Sequence, residues 1–546
     1  MELDLLLTDA RVVTMDEGRP FARSVGIWRG RVVGVDEQVE GVRARREVSV
    51  GGATVVPGFN DSHNHMAQFG QRLGEIDCSA LRSRDELLGL IAARAAEAAP
   101  NAWITGSGYD QTVLGGHPLR EELDRAGGGR KVLLLHRTSH LLVASTAVFE
   151  AVGAMTAAYP DPEGGTVERH ADGTPTGLVA ERAMAEFRGL RKPFPQRDLI
   201  DALRAASRVY LAEGLTSVSE AGIGDSPLVG SSPVEGGVYQ RAVEEGAIRQ
   251  RVQLMVAMEN LHTLASADTD PFRRGLDLGL RTGLGDERLR IGPLKMFTDG
   301  ALMSRTASMT ANFCGHDHAG AMQFTAEELT GTAVDAAAAG WQLAVHAIGD
   351  HAVDVALDVL GAVARAGGRT DPRHRIEHAS VVRPEQLDRF ARLGVIASTQ
   401  GRFVAELGDG VASVLGEDRL PWTYRHASFA ERGIVVASGS DRPVVADGGP
   451  LPAIQSMVER RTPSGRLFNG HEAVSVLEAL RTYTVGSAYA QRTDHELGRL
   501  APGCLADIVV LGRDITTCAT EEIGGTPVLA TVVGGVAEYD PQGIFG

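Results

Sequence analysis

The feature that most constrains this chain is a rhythm of eight short apolar runs, each closing on polar or charged residues. In order they are TVVPGFNDSHNH, LTSVSEAG, RVQLMVAM, IGPLKMFTDG, QLAVHAIGD, HRIEHAS, GVIASTQ and GIVVASGSD. Between several of them lie strong helix formers, such as AEELTGTAVDAAAAG and RPEQLDRFARLG. Eight alternating β and α units predict an α/β architecture of one kind, a parallel (β/α)8 TIM barrel. With 546 residues the chain is long enough for such a barrel and for additions to it.

The additions are legible in the texture of the flanks. LLLTDARVVTM, SVGIWRG and RVVGVDE near the start read as short strands separated by turn signals. LADIVVLGRD and VLATVVGGVAEY repeat that texture near the end. Both termini are therefore expected to meet in one small β-sandwich, residues 1–56 with 490–546. The barrel takes 57–65 and 196–489. Residues 66–195, between the first and second runs, are far too many for a loop and predict an inserted subdomain, a lid that carries substrate contacts.

Composition removes other classes. A formal charge of −16 speaks against a nucleic-acid partner, and no stretch approaches the roughly 18–20 apolar residues of a membrane span. The start, MELDLLLTDARVVTMDEG, carries acids where a signal peptide needs bases. Cys78, Cys314, Cys504 and Cys518 are scattered without a CxxC pair and read as reduced thiols. A cytoplasmic protein is expected, with no nucleic-acid or membrane partner.

Active sites of such barrels form at the carboxyl ends of the strands. Five of the eight runs end there in residues able to bind a metal: His63 with His65, then Lys295, His346, His378 and Asp441. In an extended segment residues i and i+2 point the same way, so His63 and His65 can grip one ion together. Histidine nitrogens and a carboxylate suit Zn²⁺ or a similar divalent ion. Each residue alone has an ordinary structural explanation, but five strand ends converging by chance in one barrel is improbable.

The chain resembles the amidohydrolase superfamily, in the branch that includes N-substituted formamide deformylases. The resemblance runs over nearly the whole length, on PGFNDSHNH (57–65), GSGYDQ (106–111), PDPEGGTVERHADGTPTGLVAE (160–181), KMFTDGALMSRTA (295–307), VHAIGD (345–350), RIEHA (375–379), SGSDRPV (438–444) and GRLAPGCLADIVVL (498–511). It implies one or two divalent ions per chain, zinc foremost. His63, His65 and Asp441 would hold the first, and His346 and His378 the second. Lys295 matches a fourth-strand lysine that in many members is carboxylated and bridges both ions.

The implied reaction is hydrolysis of an amide-type C–N bond in a small molecule, N-formyl, N-acyl or cyclic, by a metal-bound hydroxide attacking the carbonyl. Asp441 then serves as general base and general acid. His140 matches a family histidine that would stabilise the oxyanion. The commoner family text has Asp-Gly before that histidine and Asn five residues after it, where this chain has Thr138, Ser139 and Ser145. Tyr109, Asp110, Gln111, Glu181 and Arg305 are the expected substrate contacts. Asp299 reads as a turn former or as an orienter of a ligand, and His316 with His318 as a loop pair outside the metal site. Family members are often homodimers. Two alternatives stand beside this reading: a one-metal deaminase of the same superfamily, against which Lys295 argues, and a catalytically inactive scaffold relative, against which six competent ligand positions argue.

Overall fold

The computed structural model describes the chain apart from residues 1, 138–140, 157, 163–164, 268, 271–272, 368–369 and 446. Its centre is an eight-stranded, all-parallel sheet in sequential order. The strands are β1 (Phe59–Asn64), β2 (Leu215–Ile223), β3 (Arg251–Ala257), β4 (Leu289–Phe297), β5 (Leu343–Ala347), β6 (Arg375–His378), β7 (Ile396–Thr399) and β8 (Val436–Ser438). Past β8 the ring is joined to β1 by Asp441 N donating to His63 O at 2.8 Å and His65 N donating to Arg442 O at 2.9 Å. The TIM barrel is thus present, and each of its eight strands overlaps one of the eight apolar runs, β2 ending one residue past its run and β4 starting two residues before its own.

The first run divides between two sheets. Thr54–Pro57 pairs with Ile508–Leu511 in the terminal β domain, and β1 starts only after Gly58. A Cβ at Gly58 would stand 2.1 Å from Thr216 Oγ1, so only glycine lets the chain pass from one sheet to the other there. Gly439 has the same function at the closing seam, where a Cβ would stand 2.6 Å from His63 N.

The helices that cover the barrel carry their own start and stop signals. Ala326–Ala338 begins at Thr325, whose Oγ1 accepts from Glu328 N at 3.2 Å. Pro384–Leu393 has proline in its first turn, ends on Gly394 at φ 62°, and buries Leu387 and Phe390. The β3–β4 crossover departs from the pattern. Among the described residues it holds a two-stranded ribbon, His262–Thr263 with Arg274–Gly275, and no α-helix. Its sequence, GLDLGLRTGLG, is too rich in glycine to favour one.

Both termini build the β domain. A four-stranded sheet contains Leu5–Thr8, and a six-stranded sheet places Ile508–Leu511 antiparallel to Thr54–Pro57, Ile508 opposite Pro57. Leu7, Val25 and Val32 from the first sheet pack with Val55, Ile508 and Val532 from the second in one core. Barrel and β domain form one compact unit, Met1–Gly70 with Gln196–Gly546. Gln71–Pro195 is the other, a six-stranded mixed sheet with helices and two cores of its own, one around Tyr109 and Leu134 and one around Phe149 and Phe187. Among the described residues no helix is long and apolar enough to cross a membrane.

Candidate metal centre

β1 delivers two histidines. His63 lies in the strand and His65 just past it, two residues on, and their rings stand 5.7 Å apart. Asp441 reaches them from the far side of the closing seam. Its backbone is left-handed (φ 55°), uncommon for a non-glycine residue and typical of functional sites. Its Oδ1 lies 3.4 Å from His63 Nε2 and 3.3 Å from His65 Nε2. The potential ligand atoms of these three buried residues all lie within 4.8 Å of one another.

The neighbouring strands add three more groups. Lys295, third from the end of β4 and buried, places Nζ 3.4 Å from His63 Nε2. In the register of β4 and β5, Lys295 faces Ala344 and Phe297 faces His346, so His346 sits one side-chain layer above the lysine. His378 ends β6 at φ 70°, which releases its side chain from the strand alternation. Its ring lies 4.7 Å from that of His63 and 4.5 Å from that of His346. The structure therefore brings together all six residues expected to bind metal.

His63, His378 and His346 each have one nitrogen held by a hydrogen-bond partner, whereas His65 Nδ1 has a carboxylate nearby but no hydrogen bond. His63 Nδ1 meets Glu377 Oε2, and His378 Nδ1 lies 2.9 Å from Gln400 Oε1. His346 Nε2 lies 3.1 Å from Gly300 O and 3.4 Å from Asp299 Oδ1. His65 Nδ1 is 3.7 Å from Glu220 Oε1. Such outer contacts fix ring orientation and tautomer.

Burial dominates the electrostatics. Burial, then the Lys295 charge, drives the His63 pKa well below the ordinary histidine value, and burial with His346 does the same at His378. Both rings are therefore neutral at pH 7, as ligation requires. Burial also pulls Lys295 down to about 8. At Asp441 burial pushes upward, but the hydrogen bond from His65 and the nearby His378 and Lys295 outweigh it and hold the carboxyl below its usual range. His65 is raised to about 9 because Asp441 and Glu220 overcome its burial. With His63 neutral and Asp441 ionised, and with the His65 proton given up on ligation, the residues around this buried point are a donor set that fits Zn²⁺ or a similar divalent ion.

The other expected site residues are distributed differently. Tyr109, Asp110 and Gln111 belong to the second unit and have partners within it: Tyr109 OH with His117 Nδ1 at 3.0 Å, Asp110 with Arg137 at 2.7 Å, and Gln111 Oε1 with His136 Nε2 at 2.6 Å. Glu181 ends a strand of that unit opposite Gly165. His140 lies outside the described residues. Arg305 follows β4, left-handed at φ 55°, with Nε buried and without a hydrogen-bond partner. Asp299 ties two loops of the barrel together, accepting from Ser308 N, Ile348 N and Gly349 N, and it also faces His346. His316 and His318 are exposed and join no metal-competent group among the described residues.

Sequence reasoning missed Glu377, Glu220, Gln400 and Asp61. Asp61 Oδ1 accepts from His63 N and Ser440 N, each at 3.0 Å, pinning the seam that carries Asp441. The alternation in RIEH offers a signal for Glu377, since it puts two opposite charges, Arg375 and Glu377, on one face of a barrel strand.

Residues 46–539 match the amidohydrolase family. Protein LONG AFTER FAR-RED 3 of Arabidopsis thaliana is 31% identical over 548 residues, which cover 98% of this chain and 91% of that protein. N-substituted formamide deformylase of Arthrobacter pascens is 30% identical, with 99% of both chains covered. Among solved structures, an uncharacterized metal-dependent hydrolase from Pyrococcus horikoshii OT3 superposes with a TM-score of 0.78 at 26% identity, covering 95% of this chain and 99% of that one.

Proposed function

The chain belongs to the amidohydrolase family, and from that premise we propose that it is a metal-dependent hydrolase cleaving an amide-type C–N bond of a small molecule. The observation that carries this reading is the convergence of His63, His65 and Asp441 on one buried point, with His346, His378 and Lys295 beside it. His63, His65 and Asp441 would hold a divalent ion there, which would supply the Lewis acidity that acidifies water and polarises a carbonyl. The protein's own residues do the rest. Asp441, held ionised, accepts a proton from the attacking water and returns it to the departing nitrogen, because an unprotonated amine leaves poorly.

N-formylated amines are the first substrate class to assay, since a relative of matching length is named an N-substituted formamide deformylase. Hydrolysis is tested on a panel of N-formyl amines, N-acyl amines, cyclic amides and carbamates, with release of amine and acid measured separately. At least one class is expected to turn over. If a fully zinc-loaded enzyme hydrolyses none of them, the amide reading fails.

Lys295 fits the role of a bridging ligand once carboxylated. A buried amine close to cations can trap CO₂ as a carbamate, which turns a cation into a bidentate anion. Lys295→Ala is expected to lower the metal content from two ions per chain to one, and formate to restore part of the activity. A plain amine at Lys295 in fully loaded protein, seen in electron density, would sink this assignment. A one-ion deaminase is the second reading, favoured by the compactness of the His63, His65, Asp441 group relative to the other donors. One ion per chain in wild-type protein, with ammonia released from amino-substituted heterocycles, would establish it instead.

A further inference from the structure

The barrel interior next to His63 holds a charged pair that no step of the proposed chemistry uses. Arg375 and Glu377 lie two residues apart on β6, and both are fully buried. Arg375 donates through Nε to Glu377 Oε1 and through Nη2 to Oε2 at 2.9 Å. The same Nη2 reaches Ser62 O at 2.6 Å and Ser398 Oγ at 3.0 Å, and Ser398 Oγ donates to Glu377 Oε2 at 3.0 Å. The pair is therefore anchored to β1 and β7 as well as to β6.

Stability does not account for it. Desolvating two charges costs as much as their attraction returns, and apolar residues in place of such a pair are often neutral or stabilising. Ligand orientation does account for it. Glu377 Oε2 meets Nδ1 of His63, and a carboxylate there obliges Nδ1 to carry the ring proton. The lone pair is then left on Nε2, the atom that faces Asp441 Oδ1 and Lys295 Nζ. The outer nitrogen of His378 has a neutral amide oxygen as its hydrogen-bond partner, with a carboxylate no nearer than 4.0 Å, and that of His65 has its carboxylate 3.7 Å away.

We propose that Glu377, clamped by Arg375, is a positioning residue that fixes His63 in the tautomer and direction an ion requires and so sets the affinity of the centre for that ion. This rests on the metal reading above.

The test is Zn²⁺ titration of stripped protein against a chromophoric chelator, with folding followed by circular dichroism. Glu377→Gln keeps an acceptor for His63 Nδ1 but removes the charge, so Zn²⁺ affinity should fall about 10–100-fold. Because that change leaves Arg375 buried without a counter-charge, the double variant Arg375→Met with Glu377→Gln is titrated beside it. A folded variant that binds Zn²⁺ as tightly as wild type overturns the inference while leaving the metal reading intact. Wild-type protein that takes up no Zn²⁺ overturns the metal reading itself. A third measurement needs no variant. In ¹⁵N-histidine-labelled wild-type protein, His63 should carry its proton on Nδ1, and finding it on Nε2 would refute the positioning role.

Discussion

Exhaustive removal of divalent ions should abolish hydrolysis, and Zn²⁺ should restore it. His63→Ala combined with His65→Ala should abolish it permanently, because two of the three most tightly grouped ligand atoms are then gone. A Lewis acid contributes several kcal/mol to transition-state charge stabilisation, and each ~1.4 kcal/mol is a factor of ten. Turnover is therefore expected to fall by about 10³-fold or more. The loss should not be one of folding. Both histidines are buried, but the seam they sit on is tied by backbone atoms, through Asp441 N to His63 O and His65 N to Arg442 O, and these bonds survive truncation to alanine. Turnover and zinc content, read by elemental analysis on the same stripped and reloaded samples, check the prediction. Full turnover in protein shown to be free of metal would end the metal hypothesis.

Asp441→Asn should cost about 10²–10⁴-fold in turnover, the usual value of general acid–base help, with a much smaller loss of metal. The asymmetry follows from the geometry. Oδ1 of Asp441 faces the two β1 histidines, while Oδ2 points towards His378 Nδ1, 4.0 Å away. Asparagine keeps an oxygen for the first task but cannot accept and return a proton. The left-handed backbone at this position favours the exchange, since asparagine is among the residues that tolerate it best. Metal content should accordingly stay far above that of the His63→Ala, His65→Ala variant. If Asp441→Asn retains more than about a tenth of wild-type turnover, below the range that proton transfer commands, another residue moves the proton. His378 is the nearest alternative, because its ring lies beside both His63 and His346.

Much of the architecture is legible in the sequence. Each of the eight barrel strands overlaps one of the eight runs, because a parallel strand covered on both faces favours apolar residues. β1 itself is nevertheless FNDSHN, and the apolar part of its run, TVVP, belongs to the terminal β domain. The terminal β domain was equally visible, since alternation survives in short strands such as Leu5–Thr8. The β3–β4 crossover was less so. Counting β and α units carries no information about a single connection that forgoes its helix, although the glycines of that segment point the right way.

The same division holds at the metal centre. Sequence alone determined which residue types stand at the strand ends, and His63, His65, Lys295, His346, His378 and Asp441 are all found there. It could not determine which nitrogen of each ring faces inward. That depends on Glu377, Gln400, Gly300 and Glu220, which come from four different segments and share no spacing with the histidines they contact. Nor could periodicity show that His378 and Asp441 adopt left-handed backbone conformations, which take them out of the alternation that would otherwise aim them. Local pattern follows from the chain's own geometry, whereas tautomer and aim follow from contacts between different barrel strands and loops, from 22 to 314 positions apart, and only the closed barrel brings those together.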